Sequence, residues 1–492
     1  MAQKSNQRFD RRDLIKGSVA AAACWGLGVA PAFGDSKGGS DVVRLGVIGT
    51  GWRGGQLIDA FSKASGVKIV AVCDADESRV GEQAEKLNKS GKDKVDTVTD
   101  YRKILERDDI DAVAIAAPNH WHSLMAIEAC QAGKHVYCEK PVCHSMWEGR
   151  KMVEAMHKYD RIVAAGFQNR SDTGLMKAIP MIHSGKFGAI QQIRGLCYRG
   201  RNSIGKLETP LTPPKSVDYN LWLGPAADQA IMRPKFHYDW HWDFNTGNGD
   251  MGNQGPHELD LIRWALGDPT HPAKVMSFGG RFGWDDAGNT PNMQCSVFDY
   301  GDGIPVIFEV RNLYQKENHG VGRFRYGPFV GIHVTCENGS YRGGRGGGAF
   351  YDKRGQKLEE IKGDSGMGHQ QNFVDAIRTN DPGSLRSPIE SGYYSSCMSH
   401  LAGIAVRTGQ ETPDKEIAER LSDNALAAEV YDRFSKQLQL WEVDTKKTPW
   451  RMGPTLTFDN AKEQFTAGDN LTAANGLLRR EDRSPFVVPE SV

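Results

Sequence analysis

The chain lacks a surplus of charge of either sign. Its 61 Lys and Arg residues balance 61 Asp and Glu, which argues against a nucleic-acid or anionic-membrane partner, since both need a basic face. It also lacks any C-x-x-C pair. Apart from Cys24, the cysteines at 73, 130, 138, 143, 197, 295, 336 and 397 are scattered, so we expect buried thiols, no zinc or other metal site and no disulfide framework. No apolar run beyond residue 34 is long enough to cross a bilayer, so no membrane span is expected in the mature form. Internal repeats and coiled-coil heptads are absent too. What remains is the profile of a globular protein handling small molecules. At 492 residues it is too long for one core, and two domains plus extensions are expected.

The first 34 residues read as a targeting segment. Arg11-Arg12-Asp13-Leu14-Ile15-Lys16 precedes a stretch of small, weakly apolar residues from Gly17 to Phe33, and Ala30-Pro31-Ala32 offers an A-x-A cleavage site. Paired arginines in this setting point to twin-arginine export, although Leu14 stands where Phe is common. The expectation is a periplasmic protein, delivered already folded by the twin-arginine machinery. A polar linker covers residues 35–41.

From residue 42 to 166, short apolar strands alternate with helical segments: Val42 to Ile48, Lys68 to Cys73, Ala112 to Ala116, His135 to Cys138 and Ile162 to Ala165. Such alternation predicts a doubly wound parallel sheet of the Rossmann kind. From 167 to 440 the strands become longer and alternate polar with apolar residues, as at Ile190 to Tyr198 and Met293 to Asp299. That pattern predicts an α/β domain on an open, mostly antiparallel sheet. The Gly- and Arg-rich stretch Gly343 to Gly348 reads as a mobile loop. One helix is predicted from Leu421 to Leu440, and an extended tail wrapping the surface from 441 to 492.

Gly49-Thr50-Gly51-Trp52-Arg53-Gly54 is G-x-G-x-x-G between a predicted strand and a predicted helix, and Asp74 ends the next strand. In that setting Gly49 permits the tight turn, Gly51 lets backbone approach a pyrophosphate, and Gly54 lets helix pack on strand. The helix N-terminus then faces the phosphates. Asp74 suits the ribose hydroxyls of NAD and disfavours a 2′-phosphate, while Arg79 keeps NADP open. A periplasm holds no pool of free nicotinamide dinucleotide, so an exported enzyme is expected to hold its cofactor tightly.

Three segments carry a family resemblance: Gly46-Val47-Ile48-Gly49-Thr50-Gly51, Pro118-Asn119-His120-Trp121-His122, and Gly133-Lys134-His135-Val136-Tyr137-Cys138-Glu139-Lys140-Pro141. With them the chain resembles the Gfo/Idh/MocA oxidoreductases, named for glucose–fructose oxidoreductase and inositol dehydrogenase. The resemblance implies an active site between the two domains, a lysine of the Glu-Lys-Pro segment beside the nicotinamide (here Lys140), and subunits that associate into homo-oligomers. It adds Pro118, Asn119, His122, Glu139 and Gln168 to the expected cofactor contacts. The family's second catalytic element is Asp-x-x-x-His. Here His257 matches the histidine, but Asn253 stands in the aspartate's place, and an amide cannot take a proton. Asp250 or Asp260 is left as the missing carboxylate. Arg170, His237, Trp240, His241 and Asp260 are candidates for the substrate, since aromatic faces beside polar tips suit sugar rings.

These residues imply hydride transfer between a sugar or polyol and bound NAD(P), with His257 as base and Lys140 polarising the oxygen. The alternative is a redox-neutral glycoside hydrolase or epimerase working through a transient keto sugar. A non-catalytic sugar- or nucleotide-binding protein is the remaining reading.

Overall fold

The structure is a computed structural model that describes residues 42–89, 94–314 and 329–492; the expected export signal and linker lie outside the described residues. The chain first winds β1 (Val43–Ile48), α1 (Trp52–Lys63), β2 (Val67–Cys73), α2 (Glu77–Lys89), β3 (Asp96–Val98), α3 (Arg102–Leu105), β4 (Ala112–Ile115), α4 (His122–Gln131), β5 (His135–Glu139), α5 (Met146–Lys158) and β6 (Val163–Gly166). Its six strands pair in parallel in the order β3-β2-β1-β4-β5-β6. β1, β4 and β5 are buried on both faces, which is why they read as near-continuous apolar runs. The order reverses between β1 and β4, and that switch point opens a crevice at the carboxyl ends of the strands. The sequence gives little sign of β3, which is three residues long and half exposed.

The second region contains α6 (Leu175–His183), β7 (Ile190–Cys197), α7 (Tyr219–Leu223), α8 (Gly249–Gly252), α9 (Gly255–Ala265), β8 (Lys274–Gly280), β9 (Met293–Asp299), β10 (Val306–Arg311), β11 (Val330–Cys336), β12 (Gly339–Gly344), β13 (Gly347–Asp352), β14 (Lys357–Lys362), α10 (His369–Thr379), α11 (Ile389–Arg407), β15 (Gln410–Thr412), α12 (Asp414–Arg420), α13 (Ala425–Leu440), β16 (Trp450–Met452), β17 (Leu456–Asp459), β18 (Gln464–Ala467) and α14 (Leu471–Gly476). The described strands form a mixed sheet in the order β14-β13-β12-β11-β7-β10-β9-β8-β16-β15, with β17 and β18 attached at β8. β7 and β10 run parallel, and the other described pairings are antiparallel. α9 and α11 pack on each other and on this sheet, joining the main core. α13 packs on β9 and β10 with its own apolar cluster around Phe278, Phe282, Phe434 and Trp450.

Three expectations are corrected. Gly343 to Gly348 is not a mobile loop but the closing end of the β12–β13 hairpin, with Gly343 opposite Gly348. Its glycines are steric: a Cβ on Gly343 would come 2.3 Å from the Tyr341 hydroxyl, and Gly347 has φ +105°. The helix expected from Leu421 begins four residues later, at Ala425, because Asn424 caps it by accepting from Ala427 N at 3.0 Å. Residues 441–492 are not simply extended: they add three strands and a helix, and bury Phe486, Val488 and Val492 in the main core.

A long segment between β7 and α8 returns to the first sheet and lies across it. Val217 bridges Asp76, Glu77 N donates to Ser216 O at 2.9 Å and Asp218 N donates to Ala75 O at 2.8 Å. Trp121 Nε1 donates to Trp222 O at 3.0 Å. Residues near the C-terminus hold this strap down: Arg483 Nε donates to Gly224 O at 2.9 Å, Arg483 Nη1 donates to Asn220 Oδ1 at 2.9 Å, and Phe486 packs edge-on against Trp121.

Candidate active site

A cavity of about 970 Å³ runs from the glycine turn of the first sheet to the open end of the second, large enough for a dinucleotide and a small ligand together. Its first half is mostly backbone. Gly49 has φ +86°, and a Cβ there would lie 2.6 Å from Ala116 C; a Cβ on Gly54 would lie 1.8 Å from Gly49 O. Both positions exclude a side chain, and Gly51 caps the N-terminus of α1. Asp74 sits on the wall at the end of β2. Its Oδ2 accepts from Thr50 N at 2.7 Å and its Oδ1 from Asp76 N at 3.0 Å, while burial raises its pKa. Thr50 is therefore not on the wall but behind it, fixing the carboxylate. Arg79 lies by Gly51 and is drawn to Asp76, 3.7 Å from Nε.

Trp52 is 69 % exposed at the lip. Arg53 turns inward to Glu139 Oε1 at 2.7 Å. Gln168 Nε2 donates to the same oxygen at 3.0 Å. Pro118 and Asn119 line the wall, Asn119 Nδ2 donating to Asn248 Oδ1 at 3.3 Å. The His122 ring is wedged between Pro141 O and Ala117 O at 2.6 and 2.7 Å, so as a neutral ring it donates to one of them. Glu139 Oε2, Gln168 Oε1, Asn169 Oδ1 and His257 Nδ1 are buried without partners along this cavity. Orphaned polar atoms of this kind are what a hydrogen-bonding ligand satisfies. The glycine cradle, the Asp74 carboxylate and these atoms together fit a nicotinamide dinucleotide.

Lys140 enters at the end of β5, next to a cis Lys140–Pro141 bond. Its Nζ donates to the Asn253 carbonyl at 2.7 Å. Burial lowers its pKa to about 8, against the opposing pull of Glu139. His257, in the first turn of α9, is 9 % exposed. Burial, with Lys140 and Arg345 adding to it, holds its pKa well below the usual histidine range, so the ring is neutral. Asn253 meets Lys140 through its backbone, and its side chain donates to Asp250 Oδ1 at 3.2 Å.

Neither proposed carboxylate reaches His257. Asp250 is fully buried, clamped by Arg201 through two bonds of 2.7 Å and by Asn312 at 2.6 Å. Asp260 is held by Arg170 at 2.8 and 2.7 Å, and Ser395 donates to it at 2.7 Å. Arg170 also binds Asp268. Asp260 and Arg170 thus form a structural ion pair off the cavity wall, and the expectation that they contact substrate is corrected. His237 lines the cavity at its Asp74 end, where its Nε2 lies 2.9 Å from Asp76 Oδ2. Trp240 and His241 do line the far half. Their rings stack at 3.7 Å, and burial lowers the His241 pKa to about 3.

Sequence reasoning missed four residues of this far wall. Glu258 follows His257 on α9, is 2 % exposed and accepts from Gln254 Nε2 at 3.1 Å; burial lifts its pKa to about 8. The Glu258 carboxyl is therefore largely protonated at neutral pH. Arg199, Arg201 and Arg345 also line the cavity. Tyr238, strained at φ +66°, meets Arg201 Nη1 at 3.2 Å. Position in the His257 motif was a usable signal for Glu258. Arg199 and Arg201 follow the end of β7, Arg345 lies in the distant β12–β13 turn, and none of the three had such a signal.

Two successive family models match the chain: the oxidoreductase family's NAD-binding Rossmann fold over residues 43–167 and its C-terminal alpha/beta domain over residues 189–323, together just over half of the sequence. The chain belongs to the Gfo/Idh/MocA oxidoreductase family. The first domain is accordingly an NAD-binding one. The chain is 34% identical over 196 residues to a glycosyl hydrolase family 109 protein of Solibacter usitatus, across 37% of this chain and 44% of the relative. It is 30% identical over 170 residues to the inositol 2-dehydrogenase of Salmonella paratyphi B, across 34% and 49%. The matched stretches span less than half the length of each relative. The WlbA dehydrogenase of Bordetella pertussis, solved with NADH and UDP-GlcNAcA, superposes with a TM-score of 0.54 at 18% identity, across 73% of this chain and 95% of that one. At that identity the likeness shows a common fold.

Proposed function

We propose that the protein transfers a hydride between a carbinol of a sugar or polyol and a retained NAD. The observation that carries this reading is Lys140 Nζ, with a pKa of about 8, in the same cavity wall as the unpartnered Nδ1 of neutral His257. Bound NAD supplies the hydride acceptor. The carbinol carbon gives up hydrogen with its electron pair and becomes a carbonyl carbon. The hydroxyl proton passes to His257 or to neutral Lys140, whose pKa suits proton transfer near neutral pH. In its charged form Lys140 stabilises developing negative charge on that oxygen.

A second reading is favoured by Glu258. Oxidation of a carbinol needs one base, yet this cavity also holds a protonated carboxyl group. A proton donor of that kind suits departure of a glycosidic oxygen, in a reaction that oxidises the sugar transiently and returns the hydride. The relative named as a family 109 glycosyl hydrolase supports this reading.

Arg11-Arg12 leads us to propose export to the periplasm with the cofactor aboard, and the strap over the Asp74 end supports its retention. The test is direct. Protein purified from the periplasm is assayed for bound nucleotide, then mixed with sugars and glycosides while reduced nicotinamide is followed by absorbance. A stoichiometric rise supports oxidation that awaits a second substrate. Free sugar released from a glycoside without net reduction supports the redox-neutral reading. Absence of bound nucleotide, and of any affinity for added NAD, overturns both.

A further inference from the structure

The far half of the cavity carries two solvent-exposed arginines that no described carboxylate bonds. Arg53 and Arg201 are engaged by Glu139 and Asp250. Arg199 and Arg345 are not: Arg199 Nη1 donates to the Gln254 amide oxygen at 2.8 Å, and Arg345 Nε donates to the Ser365 carbonyl at 3.2 Å. Neither has a carboxylate partner among the described residues.

The sheet brings these two side chains to one place. Val330 opens β11 opposite Cys197 of β7, and Ile332 pairs with Gly343 of β12. Arg199, two residues past Cys197, and Arg345, in the β12–β13 turn, therefore sit at the same end of three adjacent strands. Both line the cavity, as does Val330 itself. Burial lowers the Arg345 pKa and the Arg53 charge adds to that effect, against the opposing pull of Glu139 and Asp172. Asp172, the carboxylate beside the β12–β13 turn, is taken up by the backbone N–H groups of Gly346 and Ser365 at 2.8 Å, and Glu258, on the same cavity wall, is largely protonated at neutral pH. A cationic wall of this kind, facing a cavity that holds a proton-transfer centre, is complementary to an anion.

We propose that the sugar taken at this site bears an anionic substituent, received by Arg199 and Arg345. The proposal rests on the reading of the cavity as a sugar site. A carboxylate matches the planar guanidinium fork in a bidentate manner, and sulfate or phosphate esters share the same charge complementarity.

The experiment uses the full-length protein saturated with NAD and measures binding of glucuronate, galacturonate, glucose 6-sulfate and glucose 6-phosphate against glucose and galactose. At least one anionic sugar is expected to bind about tenfold to a hundredfold more tightly than its neutral parent. That preference is expected to weaken as salt is raised and to fall to near parity in Arg199→Gln and Arg345→Gln, two conservative changes at the cavity mouth. Which anionic sugar binds identifies the substituent. Equal or tighter binding of the neutral sugars overturns the proposal and leaves the sugar-site reading intact. If no sugar of either class binds, both fall. NAD affinity measured separately on Arg345→Gln is expected to stay within about twofold of the parent; a tenfold loss would assign Arg345 to the dinucleotide and overturn its role here.

Discussion

At the Asp74 end of the cavity the wall is a turn of backbone made by three glycines and one carboxylate, all drawn from β1, α1 and β2. At the Lys140 end it is a set of charged side chains gathered from the ends of β5, β7 and α8, from α9, and from a hairpin more than two hundred residues after Lys140. The first end recognises a ligand by shape and by the direction of its N–H groups. The second does so by charge and proton affinity. Backbone recognition tolerates few sequences, because Gly49 and Gly54 leave no room for a Cβ. Side-chain recognition rests on separate positions: Asn253 offers no carboxylate, and Glu258 holds a largely protonated carboxyl group on the cavity wall that His257 also lines.

Single substitutions can separate the two ends. Lys140→Ala should lower the rate of nicotinamide reduction by about a thousandfold or more while bound nucleotide and the melting curve stay near those of the parent; parental turnover in this variant would remove Lys140 from the chemistry. Asp74→Ala should do the converse. It deletes a carboxylate at the ribose end, so NAD affinity should fall about tenfold, with the rate at saturating NAD preserved. A fall in both would show that the ends are mechanically coupled.

A third effect is a dependence on pH. Glu258 has a folded pKa of about 8, above its ordinary value of 4.5. The stability it contributes is full below about 4.5 and is lost as pH rises through 8. Between those values the native state keeps a proton that the unfolded state has released, which costs on the order of 1 kcal/mol per pH unit. Lys140, depressed from 10.5 to about 8, acts in a different window: its contribution is present above 10.5 and lost as pH falls through 8. Glu258→Gln should therefore flatten the loss of thermal stability between pH 4.5 and 8 and leave the alkaline behaviour in place. An unchanged slope would mean that Glu258 is ionised in the native protein.

The same contrast explains what could be read from the sequence. The parallel sheet and the glycine turn were legible because buried strands and G-x-G-x-x-G leave local patterns. Lys140 and His257 came with the family resemblance. Arg170 and Asp260 misled, because charged residues beside site motifs resemble substrate contacts until burial shows them bonded to each other. Gly343 to Gly348 misled for a related reason: glycine marks both mobile loops and strands packed too closely for a side chain. The cationic wall was illegible, since Arg199 and Arg345 meet only through the pairing of β7, β11 and β12.

The strap over the Asp74 end also has a consequence for the order of assembly. Gly49 and Asp74 leave the ribosome early, whereas Arg483 and Phe486, which pin the strap through Gly224, Asn220 and Trp121, emerge long afterwards. Until they dock, the nucleotide site lacks its fastening. A nucleotide thus enters an unfastened chain more easily than a fastened one. A fusion that kept residues 480–486 from docking would then yield a protein that folds, keeps its proton-transfer groups, and leaks its nucleotide.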